Sequence, residues 1–257
     1  MNRKTSLVFQ LRRFAVSKMA AKQESRSRVG ARLCYLGMIF VTGIALAAPR
    51  YADLRSVEPI HGDPAAGQKK AALCFACHGA NGTPIAPTFP RLAGQREGYL
   101  YHRLLSFKHA SPKDPYYSVS AMTPNVAKLS DTDMRDLAAF FASQTPPAPA
   151  TATEAAPGDG GALFLAGDPA RGVPPCQGCH GADAGGPSIS TGRYALYPTL
   201  RGQGSLYLIA RLTSFHKNLP HDTTNDFIMG GVAQTLDDKS IQAIAAWLSS
   251  LTPAKSL

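Results

Sequence analysis

The sequence predicts an all-α protein made of two similar helical domains in tandem, and three observations carry that prediction. A Cys-x-x-Cys-His pentapeptide occurs twice, at Cys74–His78 and at Cys176–His180. The residues that follow each pentapeptide match one another at an offset of 107 or 108, and within the matched segments apolar positions recur at helical spacing. The 257 residues suit two domains of about 100 residues each.

The first 48 residues stand apart. Of the 27 Lys and Arg, nine lie in residues 1–32 with a single acid, Glu24, which leaves a net charge of only +2 beyond them. That balance excludes the basic footprint of a DNA- or RNA-binding protein. Leu33–Ala48 is an uncharged run ending in Ala45, Ala47 and Ala48. A positive segment, an apolar run and small residues make a secretory signal, so residues 1–48 are expected to be cleaved on export to the periplasm. Retention of 33–48 as a membrane anchor is the alternative, since the run is slightly short of a span of about 20 residues. Translation from Met19 would leave enough basic residues for the same signal.

Cys34 belongs to the leader, and the other four cysteines form Cys74-Phe75-Ala76-Cys77-His78 and Cys176-Gln177-Gly178-Cys179-His180. Two thiols at this spacing add across the two vinyl groups of a haem, and the adjacent His ligates the iron from below. A four-cysteine zinc site would bring its pairs closer than the 98 residues between Cys77 and Cys176. A thioredoxin-like pair would follow a strand in a βαβ unit, which neither flank resembles. Two covalently bound haem c groups are therefore expected, held by Cys74, Cys77 and His78 and by Cys176, Cys179 and His180.

The internal repeat extends from there. Pro90-Arg91-Leu92-Ala93-Gly94-Gln95 matches Pro198-Thr199-Leu200-Arg201-Gly202-Gln203, and Tyr99, Leu100, Arg103, Leu104, Ser106 and Phe107 match Tyr207, Leu208, Arg211, Leu212, Ser214 and Phe215. The apolar members predict a helix here in each half. Ser130 and Asp237 are good N-caps for a closing amphipathic helix of about 12 residues. At the same offset Met122 falls on Met229, each expected in a loop before the last helix and about 45 residues beyond its haem His. A thioether there suits the sixth position of a His/Met haem. Met134 aligns with Ile241 and reads as core packing.

Other positions carry weaker signals. Pro90 and Pro198 either lend a carbonyl to the ring N–H of the haem His or are plain loop prolines. Tyr99 and Tyr207 cover the haem or fill core. Arg103 and Arg211 are read as a solvated helix face in preference to propionate partners. His61, His102, His109, His216 and His221 have no aligned partner and read as surface or loop residues, with His216 and His221 as spare ligands at most.

Cys74–Ala80, Phe89–Gln95 and Ile228–Ala233 make the chain resemble class I cytochromes c, and the two-domain pattern is similar to the cytochrome c4 family of dihaem electron carriers. The resemblance covers about Gly62 to Leu251. It implies two tandem class I cytochrome c domains, at 55–144 and 158–254, with His78/Met122 and His180/Met229 as axial pairs. It also implies a quinol:cytochrome c oxidoreductase as electron donor and a terminal oxidase or reductase as acceptor. Three features depart from the pattern. The connection Thr145–Pro157 is Pro/Ala-rich and reads as a flexible or partly extended linker. The second haem loop runs 18 steps from His180 to Pro198 against 12 from His78 to Pro90, an insertion around Ser188–Tyr194. Gly167-Asp168-Pro169 repeats Gly62-Asp63-Pro64, but Pro174-Pro175 is a poor helix end, so the first helix of the second half is expected upstream near Gly160–Ala166. With both irons six-coordinate, an electron carrier is the first reading. The alternatives are a dedicated haem subunit of a dehydrogenase, with the linker and the insertion as docking features, and a dihaem peroxidase or sulfur-compound oxidase.

Overall fold

The computed structural model describes residues 52–110, 120–146, 158–189, 191–217 and 223–253. The leader and most of the linker lie outside these, as does His221. No described helix is long and apolar enough to cross a membrane.

Helices α1 (Pro64–Lys70) and α2 (Ala72–His78) open the first half. Asp63 caps α1, its carboxylate accepting from Ala65 N at 2.8 Å, with Pro64 at the first helical position, where no N–H is needed. Helix α2 stops at Gly79, whose φ of 75° ends it immediately after His78. Helices α3 (Glu97–Lys108), α4 (Met122–Val126) and α5 (Asp131–Ser143) follow. The expected cap of α5 is a full capping box: Ser130 Oγ accepts from Asp133 N, and Asp133 accepts from Ser130 N. Leu100, Met134, Leu137, Phe140 and Phe141 form the core between α3 and α5, and Met134 is buried there as expected.

The second half repeats this plan with α6 (Gly158–Ala166), α7 (Gln177–His180), α8 (Ser205–His216), α9 (Thr224–Ala233) and α10 (Asp238–Ser250). Asp237 caps α10 through Ser240 N at 2.8 Å. Phe164 of α6 packs on Trp247 of α10 with ring centroids 5.0 Å apart, beside Ile241, Ile244 and Leu248. The literal repeat Gly-Asp-Pro does mislead: Gly167-Asp168-Pro169 leads into a three-residue 3₁₀ turn and an isolated bridge between Asp168 and Val173. Pro174-Pro175 denies the chain a helix entering Cys176, so the core helix stands upstream as α6.

In both halves the first and last helices cross at a glycine. A Cβ on Gly67 would lie 2.0 Å from Asp136 O, and one on Gly160 would lie 2.0 Å from Ala243 O. The Pro-x-Leu-x-Gly-Gln segments are tied to the same last helices, Gly94 N donating to Phe141 O and Gly202 N to Leu248 O. The halves meet along these segments. The insertion forms a 3₁₀ turn, Gly192–Leu196, packed on α3, so it docks on the first half of its own chain. Ahead of α1, Ala52 bridges Thr223 and Leu54 N donates to Thr224 Oγ1, which carries the start of the first half onto α9.

Candidate haem sites

His78 ends α2 and His180 ends α7, and both imidazoles are buried. The Nδ1 of His78 lies 3.0 Å from Pro90 O, and that of His180 lies 3.2 Å from Pro198 O. A carbonyl can only accept, so each Nδ1 carries the proton and each Nε2 is the nitrogen left for a metal. Pro90 and Pro198 therefore play the carbonyl role. Burial pushes the pKa of both histidines down, which favours the neutral imidazole that ligation requires.

Cys74, Cys77, His78 and Met122 line one cavity of about 400 Å³, together with Phe89, Leu100, Leu137 and Phe141 of the first half and Tyr207 and Arg211 of α8. Burial raises the Cys74 thiol and pushes that of Cys176 up to about 11. Such thiols are not the low-pKa thiolates of redox motifs, and no disulfide joins them. Tyr99 and Tyr207 both face the cavity. Met122 opens α4 and Met229 lies in the middle of α9, each half-buried, so the loop placement expected from sequence is corrected. Asn125 Nδ2 donates to Ala121 O in α4, and Thr223 caps α9 by accepting from Asp226 N.

Arg91 also lines the cavity, and its Nε and Nη1 are buried with no hydrogen-bond partner among the described residues. A buried cation left unpaired is costly, and the carboxylates of a haem would supply the missing anion. An apolar cavity holding two thiols, a free imidazole nitrogen, a thioether and an orphaned guanidinium fits the group that the motif implies.

The cytochrome c family matches residues 64–145 and again 160–252. Cytochrome c4 of Azotobacter vinelandii is 36% identical over 215 residues, covering 82% of this chain and 93% of that protein. The chain belongs to the cytochrome c4 family. The crystal structure of reduced recombinant cytochrome c4 from Pseudomonas stutzeri superposes with a TM-score of 0.61 at 37% identity, over 74% of this chain and 99% of that one. A "thiosulfate dehydrogenase electron acceptor" of Stutzerimonas stutzeri is 35% identical over 191 residues, 72% of this chain and 82% of that protein. This cytochrome thus carries two covalently bound haem c groups and transfers electrons; it is a carrier and not an enzyme.

At the interface the structure departs from the sequence expectation. Arg103 and Arg211 are not on a solvated face: their side chains are 16% and 13% exposed and converge on the buried carboxylate of Asp226, at 3.3 Å and 4.0 Å. The reason is that Asp226 of α9 receives Arg211 from α8 of its own half and Arg103 from α3 of the other. His216 is exposed, with Nδ1 3.0 Å from Ala233 O, and is no ligand candidate. Arg91 carries no repeat signal, because its partner in the second half is Thr199. Gln95 and Gln203 were visible as identities in the repeat, and that identity was the signal available for them.

Proposed function

We propose that His78 with Met122, and His180 with Met229, are the axial pairs of the two haems, with Cys74, Cys77, Cys176 and Cys179 as thioether attachments. The observation carrying this reading is the repeated tie of each His Nδ1 to a proline carbonyl, beside a cysteine pair and, in the first half, a methionine on the same cavity. When bound, the iron supplies one-electron Fe(III)/Fe(II) chemistry. The chain contributes the rest. The histidines keep their orientation through Pro90 and Pro198, Arg91 would pair with a propionate, and Phe89, Leu137 and Phe141 exclude water. Burial and a thioether ligand both favour the reduced iron.

The leader 1–48 supports export to the periplasm, with electrons arriving from a quinol:cytochrome c oxidoreductase and leaving to a terminal oxidase or reductase. A second reading, dedicated acceptor of a dehydrogenase, draws support from the thiosulfate dehydrogenase electron acceptor. The insertion no longer supports it, because that segment packs on α3 of its own chain. Stopped-flow mixing with a reduced cytochrome bc1-type complex and with a thiosulfate dehydrogenase tests the choice, since fast reduction by only the second favours the dedicated acceptor.

The haem count is directly measurable. A haemochrome assay is expected to give two haems per chain, and Cys176→Ala with Cys179→Ala is expected to give one, with the first half's spectrum retained because each half has its own core. A count of one in the unaltered protein refutes the paired sites.

A further inference from the structure

Gln95 and Gln203 are each 6% exposed and occupy equivalent places in the two Pro-x-Leu-x-Gly-Gln segments. Each side-chain amide crosses to the other half and holds both backbone polar groups of one residue there. Gln203 Oε1 accepts from Arg91 N at 2.8 Å and its Nε2 donates to Arg91 O at 3.0 Å. Gln95 Oε1 accepts from Thr199 N and its Nε2 donates to Thr199 O, both at 2.9 Å.

The residues so held are not arbitrary. Arg91 N belongs to the same peptide group as Pro90 O, the acceptor of His78 Nδ1, and Thr199 N belongs to the same peptide group as Pro198 O, the acceptor of His180 Nδ1. A peptide whose N–H is hydrogen-bonded is polarised and becomes a better acceptor at its oxygen, because chains of hydrogen bonds strengthen one another. A stronger acceptor at Nδ1 makes the imidazole a more basic ligand, and a more basic ligand favours the ferric iron. The relay runs from the glutamine oxygen through the peptide to the ring, and it runs across the interface in both directions.

We propose that Gln95 and Gln203 are positioning residues acting crosswise, each setting through one peptide group the donor strength of the haem histidine in the other half. The proposal rests on His78 and His180 being the iron ligands. It makes the potential of each haem depend on how the two halves are docked, so that a partner prising them apart would alter both couples.

The test is a potentiometric titration of the full-length holoprotein with two resolved couples, each assigned to its half by the Met122→His and Met229→His variants. Gln203→Met removes the acceptor without adding charge and is expected to raise the first half's couple while the second stays in place; Gln95→Met is expected to do the reverse. The reduced-state Nδ1–H resonance should move upfield, toward weaker hydrogen bonding, only in the other half. Low-spin bands retained at both haems in each Gln→Met variant show that it has folded, and the couples are read on that folded protein. Equal shifts of both couples, or a shift confined to the half that carries the substitution, overturn the relay. Failure of the underlying ligation shows separately, as a high-spin haem or a missing histidine signature in the unaltered protein.

Discussion

Met229→His is expected to lower the potential of one couple by on the order of 0.1–0.3 V, within the ~0.8 V that axial ligands span, and to leave the other nearly unchanged. A thioether is a soft ligand that favours Fe(II), whereas a second imidazole donates more strongly and favours Fe(III). For a one-electron couple each 59 mV is a tenfold change in equilibrium constant, so this is a shift of several orders of magnitude in electron affinity at one site. The backbone at Met229 is well placed to accept the change. Helix α9 is capped by Thr223, which accepts from Asp226 N at 3.1 Å, and His costs a helix interior only a few tenths of a kcal/mol relative to Met. The sulfur-to-iron charge-transfer band in the red should fall to half. Met134→Leu should leave band and potentials alone, because Met134 is 1% exposed in the core and a volume-conserving swap there costs below about 1.5 kcal/mol. An unmoved couple with the band intact removes Met229 from the ligand set.

What was legible in the sequence was whatever the duplication wrote twice. The haem motifs, the closing helices with their caps at Ser130 and Asp237, and the split between Met134 and the paired Met122 and Met229 all followed from two copies of one pattern compared at a fixed offset. The helical setting of Met122 and Met229 was hidden, because α4 has five residues and α9 holds two glycines and three β-branched residues, so neither gives a clean amphipathic period. The interface was hidden for a different reason. Arg103 and Arg211 look like solvated charges when each helix is read alone, and only the packing of α3 near α9 brings Arg103 to Asp226. Likewise Arg96 is 6% exposed because its guanidinium reaches Pro187 O at 2.5 Å, just before the insertion, a contact 91 residues away in sequence. Contacts between copies of a repeat leave no local period, so they surface only when the halves are seen together.

Gly160→Val is expected to cost the second half about 3 kcal/mol or more, enough to shift its denaturation midpoint well below that of the first half. Helix propensity alone points the other way, since Gly is about 1 kcal/mol worse than Ala in a helix interior. Sterics decide the sign. A Cβ at Gly160 would lie 2.0 Å from Ala243 O, 2.5 Å from Ala243 C and 3.0 Å from Ile244 N, all backbone atoms of α10 that no rotamer change can move. The helices must separate by an ångström or more to restore contact distance, and that opens the packing of Phe164 on Trp247 and Ile244. Overpacking typically costs 1–3 kcal/mol, and the lost burial of Phe164, which is fully buried, adds to it. Gly231→Ala is the control of opposite sign. Gly231 sits in α9 with nothing within 4 Å of a Cβ, about 200° around the helix from Met229, so only the propensity gain remains and a stabilisation of up to about 1 kcal/mol is expected. Guanidinium titrations followed at the haem bands of each half check both. Equal effects of the two substitutions would mean that the close crossing of α6 and α10 does not hold the second half together.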